Sequence, residues 1–513
     1  MKKFSTLLLS SLMALTIIGM FSSCSSEKEN YLSSLPGQSA IVFKLNTAQL
    51  VDKSNILNNP MVSGMLMQAD QHVPDALKDK FNEIKNDPTA AGIDLKSPMA
   101  IAIDFGDLNV STNFDNPSIV CVTAIKDVKK FDELMKGVVE SEPSIVWSET
   151  NGIRKVDLSN DEVSVAYNDS RIVMAIGKNP NATALVSQKA EESMLANKDF
   201  AEFAANEQDC SMFMDYGWVL KATLFAQESA NVPAPISPKL VEYIKDMCLY
   251  GSLNFETGKV VGDMKIYPSE SAKEYIDNFY IKPTDKLIGL LPENSYLGMN
   301  FALKNYSACL DYLGEEVRQE IDKQLQNYGI TEELIDNVHG DILIGVYEDP
   351  TNAMIPGMVA AVQCKDRTLF DKIKEMMYIS ETGDTFVIPN MGYRVSFVDN
   401  VVIISTQALY DQCLASGSIR AWDKSWKGTA LGDALAKGGL AIDFQAISNN
   451  QLLGQFSSNR EAAMALSIIK QMETFTMQMD SQQETSSELV FVNKNKNALE
   501  QLIAIGIGAA MAQ

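Results

Sequence analysis

The 513-residue chain carries 66 acidic against 43 basic side chains, a formal net charge of −23, and 46% of its residues are apolar. That length exceeds what one hydrophobic core organises, so more than one domain is expected. An evenly acidic surface repels phosphate backbones, which argues against nucleic acid as a partner.

The first residues do not read as part of a fold. Met1-Lys2-Lys3 is a short basic region, residues 4–21 contain an apolar run rich in Leu and Ile, and Ser22-Ser23 precede Cys24. The order is similar to a bacterial lipoprotein signal. That likeness implies loss of a signal peptide, residues 1–23, lipidation of Cys24, and the membrane as a partner through an N-terminal lipid anchor. Serines at 5, 10 and 11 interrupt a run already short for a membrane span. Residues 24–30 then form a lipidated polar tether. Asp does not directly follow Cys24; the resemblance to Gram-negative lipoproteins then implies an outer-membrane lipoprotein, facing either the periplasm or the cell surface.

Folded sequence is expected from Tyr31. LPGQS at 35–39 leads into a strand at Ala40–Leu45, and a helix from Thr47 is capped by Asn46. Helical segments follow, among them the Met-rich stretch with Met61, Met65 and Met67 and the amphipathic DALKDKFNEIKND at 75–87. A strand, IAIDF, is read at 101–105. Next comes PSIVCVTAIKDVKKFDEL at 117–134, a strand that ends at Lys-Asp and passes into a helix. Asp127 is placed to cap that helix, and Phe131, Leu134 and Met135 fall on one face. EVSVAYNDSRIVMAIG (162–177) alternates around an Asx-rich turn, a hairpin signal. SMFMDY at 211–216 is a further strand, and LYGSLNFETGKVVGDMKIY a closing hairpin with its turn at Glu256-Thr257-Gly258.

The series then repeats. LPENS at 291–295 opens a strand at Tyr296–Ala302, ILIGVYE follows at 342–348, and PGMVAAVQCKDRTLFDKI at 356–373 repeats the strand-to-helix unit. Without a gap it matches the earlier copy at Pro117/Pro356, Val120/Val359, Lys126/Lys365, Asp127/Asp366, Phe131/Phe370 and Asp132/Asp371. Its apolar helix face is expected to be Phe370, Ile373 and Met377. YRVSFVDNVVIIST aligns Phe397 with Tyr167 and Asp399 with Asp169, and GLAIDF aligns Asp443 with Asp215. A second closing hairpin turns near Gln482, and the apolar IAIGIGAAM ends the last helix. Short hairpins demand antiparallel pairing. The expected class is α+β: two tandem copies of one unit, mainly antiparallel sheets with helices packed on them, at 31–282 and 283–513.

Chemistry is sparse. Two histidines, His72 and His339, lie at non-corresponding places, too few for a paired-histidine zinc site. GxSxG and P-loop patterns are absent from the sequence. DLNVSTN at 107–113 spaces oxygen ligands as calcium loops do, but has Thr112 where a Gly is wanted and Ser118 where a Glu is wanted. The carboxylate pairs Asp104/Asp107 and Glu348/Asp349 sit near the ends of equivalent strands, where acid/base work is conceivable at the right separation. Six scattered cysteines beyond Cys24 (121, 210, 248, 309, 364 and 413) lack any CxxC and read as buried thiols. No catalytic, cofactor-binding or metal residue is assigned; Cys24 is the one modified position.

The signal, the LPxxS strand opening both halves and the tandem α+β layout together resemble an uncharacterised lipoprotein family of Bacteroidetes, known as a domain of unknown function. The resemblance carries no catalytic residues. The expected function is a lipid-anchored cell-envelope protein that binds or scaffolds without catalysis, its ligand an envelope protein, a glycan or a lipid. A carrier of an apolar ligand and a carboxylate-dependent hydrolase are the alternatives.

Overall fold

The computed structural model describes residues 31–58, 64, 73–104, 118–141, 145–157, 162–177, 180–219, 237–304, 307–327, 329–351, 356–380, 382–388, 391–450 and 460–512. Cys24, the methionines at 61, 65 and 67, His72, Asp107 and the 107–113 loop lie outside them.

The fold is α+β, and every strand pairing is antiparallel. It divides into two compact units. The first holds Met1–Ala226 with Cys248–Glu256 and Asn497–Ile503; the second holds Gln227–Met247, Thr257–Lys496 and Ala504–Gln513. Each unit draws on more than one stretch of the sequence.

Strands β1 (Ile41–Leu45), β2 (Met99–Asp104), β3 (Ser118–Ala124), β4 (Val146–Thr150), β5 (Ile153–Asp157), β6 (Val163–Tyr167), β7 (Arg171–Ile176), β8 (Cys210–Asp215) and β9 (Cys248–Glu256) belong to the first unit. They lie in the order β4-β5-β6-β7-β3-β2-β1-β8-β9. The second unit holds β10 (Lys259–Tyr267), β11 (Ser295–Leu303), β12 (Val338–Tyr347), β13 (Gly357–Cys364), β14 (Thr385–Val387), β15 (Tyr393–Val398), β16 (Val401–Thr406), β17 (Gly439–Asp443), β18 (Met472–Met479) and β19 (Glu484–Phe491). Their order is β14-β15-β16-β13-β12-β11-β17-β18-β19-β10. From β5 to β9 and from β14 to β18 the order of pairing is the same.

Local chemistry sets the turns. Asp399 and Asn400 both have positive φ, 52° and 61°, as a two-residue hairpin of type I′ requires. The hairpin of β4 and β5 was not expected from the sequence, although its turn is Asn151-Gly152 with φ of 53° and 76°. Its flanks explain the miss. Val146, Ser148, Glu149 and Thr150 are all exposed, so no apolar alternation marks the strand.

In each unit the strand-to-helix segment covers one end of a sheet face. The helix Val128–Ser141 buries Phe131, Leu134 and Met135, and Asp127 Oδ1 accepts from the N–H groups of Lys129 (3.1 Å) and Lys130 (3.3 Å). Phe131 meets Tyr167 edge-on with ring centroids 4.8 Å apart. In the second unit the helix Thr368–Met376 buries Phe370, and Asp366 Oδ1 accepts from Thr368 N–H at 2.8 Å. Phe370 meets Phe397 at 5.9 Å. Met377 departs from expectation: it is 37% exposed. The helix has ended at Met376, and Tyr378 takes the left-handed conformation (φ 56°) while Ile379 N–H bonds Lys374 C=O at 3.0 Å, which turns Met377 off the apolar face.

A charged clamp crosses each of these aromatic pairs. Arg154 Nε, on β5, lies 3.1 Å from Asp132 of the Val128 helix, and its guanidinium sits over the Tyr167 ring at 5.8 Å. In the second unit the cation comes from the helix: Arg367 bonds Asp371 at 3.0 Å and Asp384, beside β14, at 2.9 Å, over Phe370 and Phe397. Helix and strand are joined in both, with the charges exchanged.

The opposite sheet face is closed. Lys44 of β1 points into it, 1% exposed, and its ammonium donates to the carbonyls of Phe203 (2.7 Å), Ala204 (3.0 Å) and Asn206 at the end of the helix Lys198–Ala205. A cation there satisfies orphan carbonyls and opposes the helix dipole. Asn300 of β11 does the corresponding task, donating to Leu435 C=O at 3.0 Å at the end of the helix Ala430–Ala436.

Replacing Phe131 or Phe370 by Ala should each cost about 3–5 kcal/mol in urea denaturation, since both rings are buried; a loss below about 1 kcal/mol would show that the ring is not core.

Burial lowers the Lys44 pKa to about 8, with Glu207 opposing. The folded protein therefore holds this proton less tightly than the unfolded chain, and burying the charge works against folding below about pH 8. That penalty is relieved as pH rises from about 8 to the unfolded value near 10.4. The stability of wild type relative to Lys44→Met should accordingly rise between pH 7 and pH 10, by up to about 3 kcal/mol. Denaturation curves at both pH values that show a constant difference would contradict this.

Candidate functional site

The titratable residues singled out from the sequence are dispersed among structural tasks. His339 lies in β12, its Nδ1 3.3 Å from Lys304 C=O. Asp349 Oδ1 accepts from Thr351 N–H (2.8 Å) and Thr351 Oγ1 (2.6 Å), closing a turn after β12. Asp215 and Asp443 each cap the backbone that follows their strand, through Trp218 N–H at 3.1 Å and Ala446 N–H at 2.8 Å. Cys121, Cys210, Cys248, Cys364 and Cys413 are unbridged. Burial raises the thiols of Cys121, Cys210 and Cys364 to about 11 and that of Cys413 to about 12, so they stay protonated and weakly nucleophilic. Among the described residues no group of three or more metal-ligating side chains converges.

What the strands do bring together is hydrocarbon. On the closed face the side chains are fully buried, small ones (Ala100, Ala102, Ala361 and Ala441) interleaved with large ones such as Leu343, Tyr347 and Ile403, and at Gly345 a Cβ would stand 2.1 Å from Leu291. That face packs on Leu290, Leu291, Trp426 and Leu435 in the second unit. The other face carries large, flexible side chains that are only half-buried. Cross-strand register aligns them into rows. In the second unit one row runs Ile404–Ala360–Ile344–Met299–Leu440–Met477 over β16, β13, β12, β11, β17 and β18. The next runs Met358–Val346–Leu297–Ile442–Phe475–Leu489–Val260, from β13 to β10. No polar side chain interrupts the second row, and the first stays apolar as far as Met477, beyond which it meets Ser487 of β19. Met299, Met358 and Met477 are 36%, 46% and 39% exposed, and the rest are half-buried.

The first unit has the same feature. Leu249–Met214–Ile41–Ile103–Ile119–Ile176 aligns across β9, β8, β1, β2, β3 and β7. Leu249 is buried, Ile119 is 37% exposed, and the others are half-buried.

Among the described residues, cover over the second unit is loose: Phe444–Asn449 contacts β11 and β18, Arg460–Ile469 contacts β18, and neither helix holds a fully buried side chain. Antiparallel sheets with one solvated face alternate apolar and polar residues. IVFKL, MAIAID, SIVCVTA and CSMFMD do not. That missing alternation was the sequence signal for a second apolar face.

This arrangement defines an α+β protein with an extended apolar sheet face and, among the described residues, no converging group of three or more metal-ligating side chains. A family model described as a domain of unknown function (DUF4836) matches residues 31–409, and the chain belongs to that family. No curated protein matches it. Among solved structures, a chain titled "Structure of crystal form I of TP0453" is similar at 10% identity and a TM-score of 0.24, covering 48% of this chain and 81% of that one.

Proposed function

We propose that this DUF4836 protein is a lipid-anchored protein of the cell envelope that binds an apolar ligand and performs no catalysis. One observation carries the binding reading: the uninterrupted apolar rows on the loosely covered sheet face. Exposed apolar surface of this extent marks a binding site more often than it marks waste. A ligand that removed about 200 Å² of it from water would gain on the order of 5 kcal/mol before the cost of association. Methionine suits the role, because an unbranched, polarizable side chain re-packs around different ligands. The recurring order of strands supports descent of both units from one duplicated unit, and hence two faces of one kind.

The anchor rests on the basic start, the apolar run and Ser22-Ser23-Cys24. Retention at a membrane without insertion fits a protein in which, among the described residues, no helix is long and apolar enough to cross one. Radiolabelled palmitate should enter the wild-type chain and fail to enter Cys24→Ala; equal labelling of both would remove the anchor.

For the binding face, an anilinonaphthalene sulfonate dye should brighten on the folded protein, as it does on exposed apolar surface. Met299→Glu, which puts a carboxylate in the middle of a row, should cut that signal several-fold while melting stays cooperative. A wild-type protein that leaves the dye dark would defeat the reading.

A further inference from the structure

We infer that the outer edge of β14 is a docking site for an extended segment of a partner protein, which adds there as an antiparallel strand. The segment that fits carries a bulky apolar residue and, two positions on, a cation. This goes beyond the apolar-face reading and does not depend on it.

The two units differ at one end of the strand order. In the first, β5 has β6 on one side and β4 on the other. In the second, β14 holds the place of β5. Asp384 stands opposite Phe397 as Arg154 stands opposite Tyr167, and Thr385, Phe386 and Val387 follow in step with Lys155, Val156 and Asp157. Among the described residues, however, β14 pairs with β15 alone, and no counterpart of β4 lies on its other side.

The backbone is set to receive one. Phe397 N–H donates to Asp384 C=O and Ile388 N–H to Tyr393 C=O, both at 2.8 Å. Alternation then turns the peptide groups of 384, 386 and 388 toward β15 and those of Thr385 and Val387 outward. Outward N–H and C=O groups along a sheet edge are a template for a further strand. Val387 is exposed, and exposed apolar side chains flank the edge in the chain: Met376, Met377 and Tyr378 before it and Met391 after it, with Tyr378 94% exposed. Tyrosine and methionine are enriched where proteins meet.

The first unit shows what such a strand must carry. On β4, Trp147 stands opposite Val156 and packs against the core, and Glu149 stands opposite Arg154. Residues directly opposite share a face, and opposite charges there attract. In the second unit Phe386 takes the place of Val156, and the charge of Arg154 is reversed to that of Asp384. The matching strand therefore keeps a bulky apolar residue opposite Phe386 and exchanges the acid for a cation opposite Asp384. A second copy of this chain meets that need poorly. Its β4 would set Glu149 against Asp384, and its β14 would set Ile388 there.

The test uses the purified full chain and two fluorescein-labelled peptides. IVWSET copies residues 145–150, and IVWSKT differs only by lysine in place of the glutamate. In fluorescence anisotropy IVWSKT should bind saturably and roughly fivefold or more tightly than IVWSET. Asp384→Lys should reverse that preference. Thr385→Pro deletes an outward N–H while sparing the bonds to β15, and should abolish binding with melting still cooperative. Because the two peptides are compared on the unaltered protein, their ranking holds even if a variant folds poorly. Absence of saturable binding, or equal binding of both peptides, would overturn the inference. So would binding that survives Thr385→Pro, which would place the peptide elsewhere, as on the apolar sheet face. Sedimentation that shows a wild-type dimer, made monomeric by Thr385→Pro, would assign the edge to a second copy and overturn the choice of occupant.

Discussion

The structure depends on a solvent constraint: its central strands carry mostly apolar side chains on both sides, so neither face can be left to water. The two faces meet that constraint differently. One is closed by small residues that let helices and turns approach the backbone, to the point that Gly345 has no room for a methyl group. Such close approach is how interiors reach crystal-like density. Among the described residues the other carries Ile, Met, Phe and Leu, is fully roofed at one end by the Val128 or Thr368 helix, and is mostly half-buried elsewhere.

The closed face also shows how one geometric need is met by different chemistry. A helix ends against the first strand of each series, leaving carbonyls without partners. Lys44 answers with an ammonium, Asn300 with an amide. The ammonium makes more bonds but brings a charge into a dry place; the amide makes fewer and brings none. Which is better depends on how many carbonyls converge, and at Lys44 three do.

Much of the fold could be read from the residues, for identifiable reasons. Asp127 and Asp366 were legible as helix starts because capping is a local rule. Phe131 and Phe370 were legible as core because helical spacing is local too. Asp399-Asn400 announced its hairpin through two residues that tolerate positive φ. The rule for where a helix stops is equally local, yet Met377 was misplaced, because Tyr378 occupies a position usually given to glycine. The candidate site was the least legible part. It consists of no motif. It exists only when register sets Met299 beside Leu440, residues that are 141 apart in the chain. The one trace was negative, the lack of polar alternation in the strands, and it is easily taken for an ordinary buried core.

The two arginine clamps differ in how much water reaches them. Arg154 is a strand cation gripping a helix acid; Arg367 is a helix cation gripping a strand-side acid. Arg154 and Asp132 are 15% and 20% exposed, whereas Arg367 and Asp384 are 46% and 63% exposed. Dissolved ions screen exposed charges far more than sheltered ones. Added salt therefore loosens the second clamp before the first.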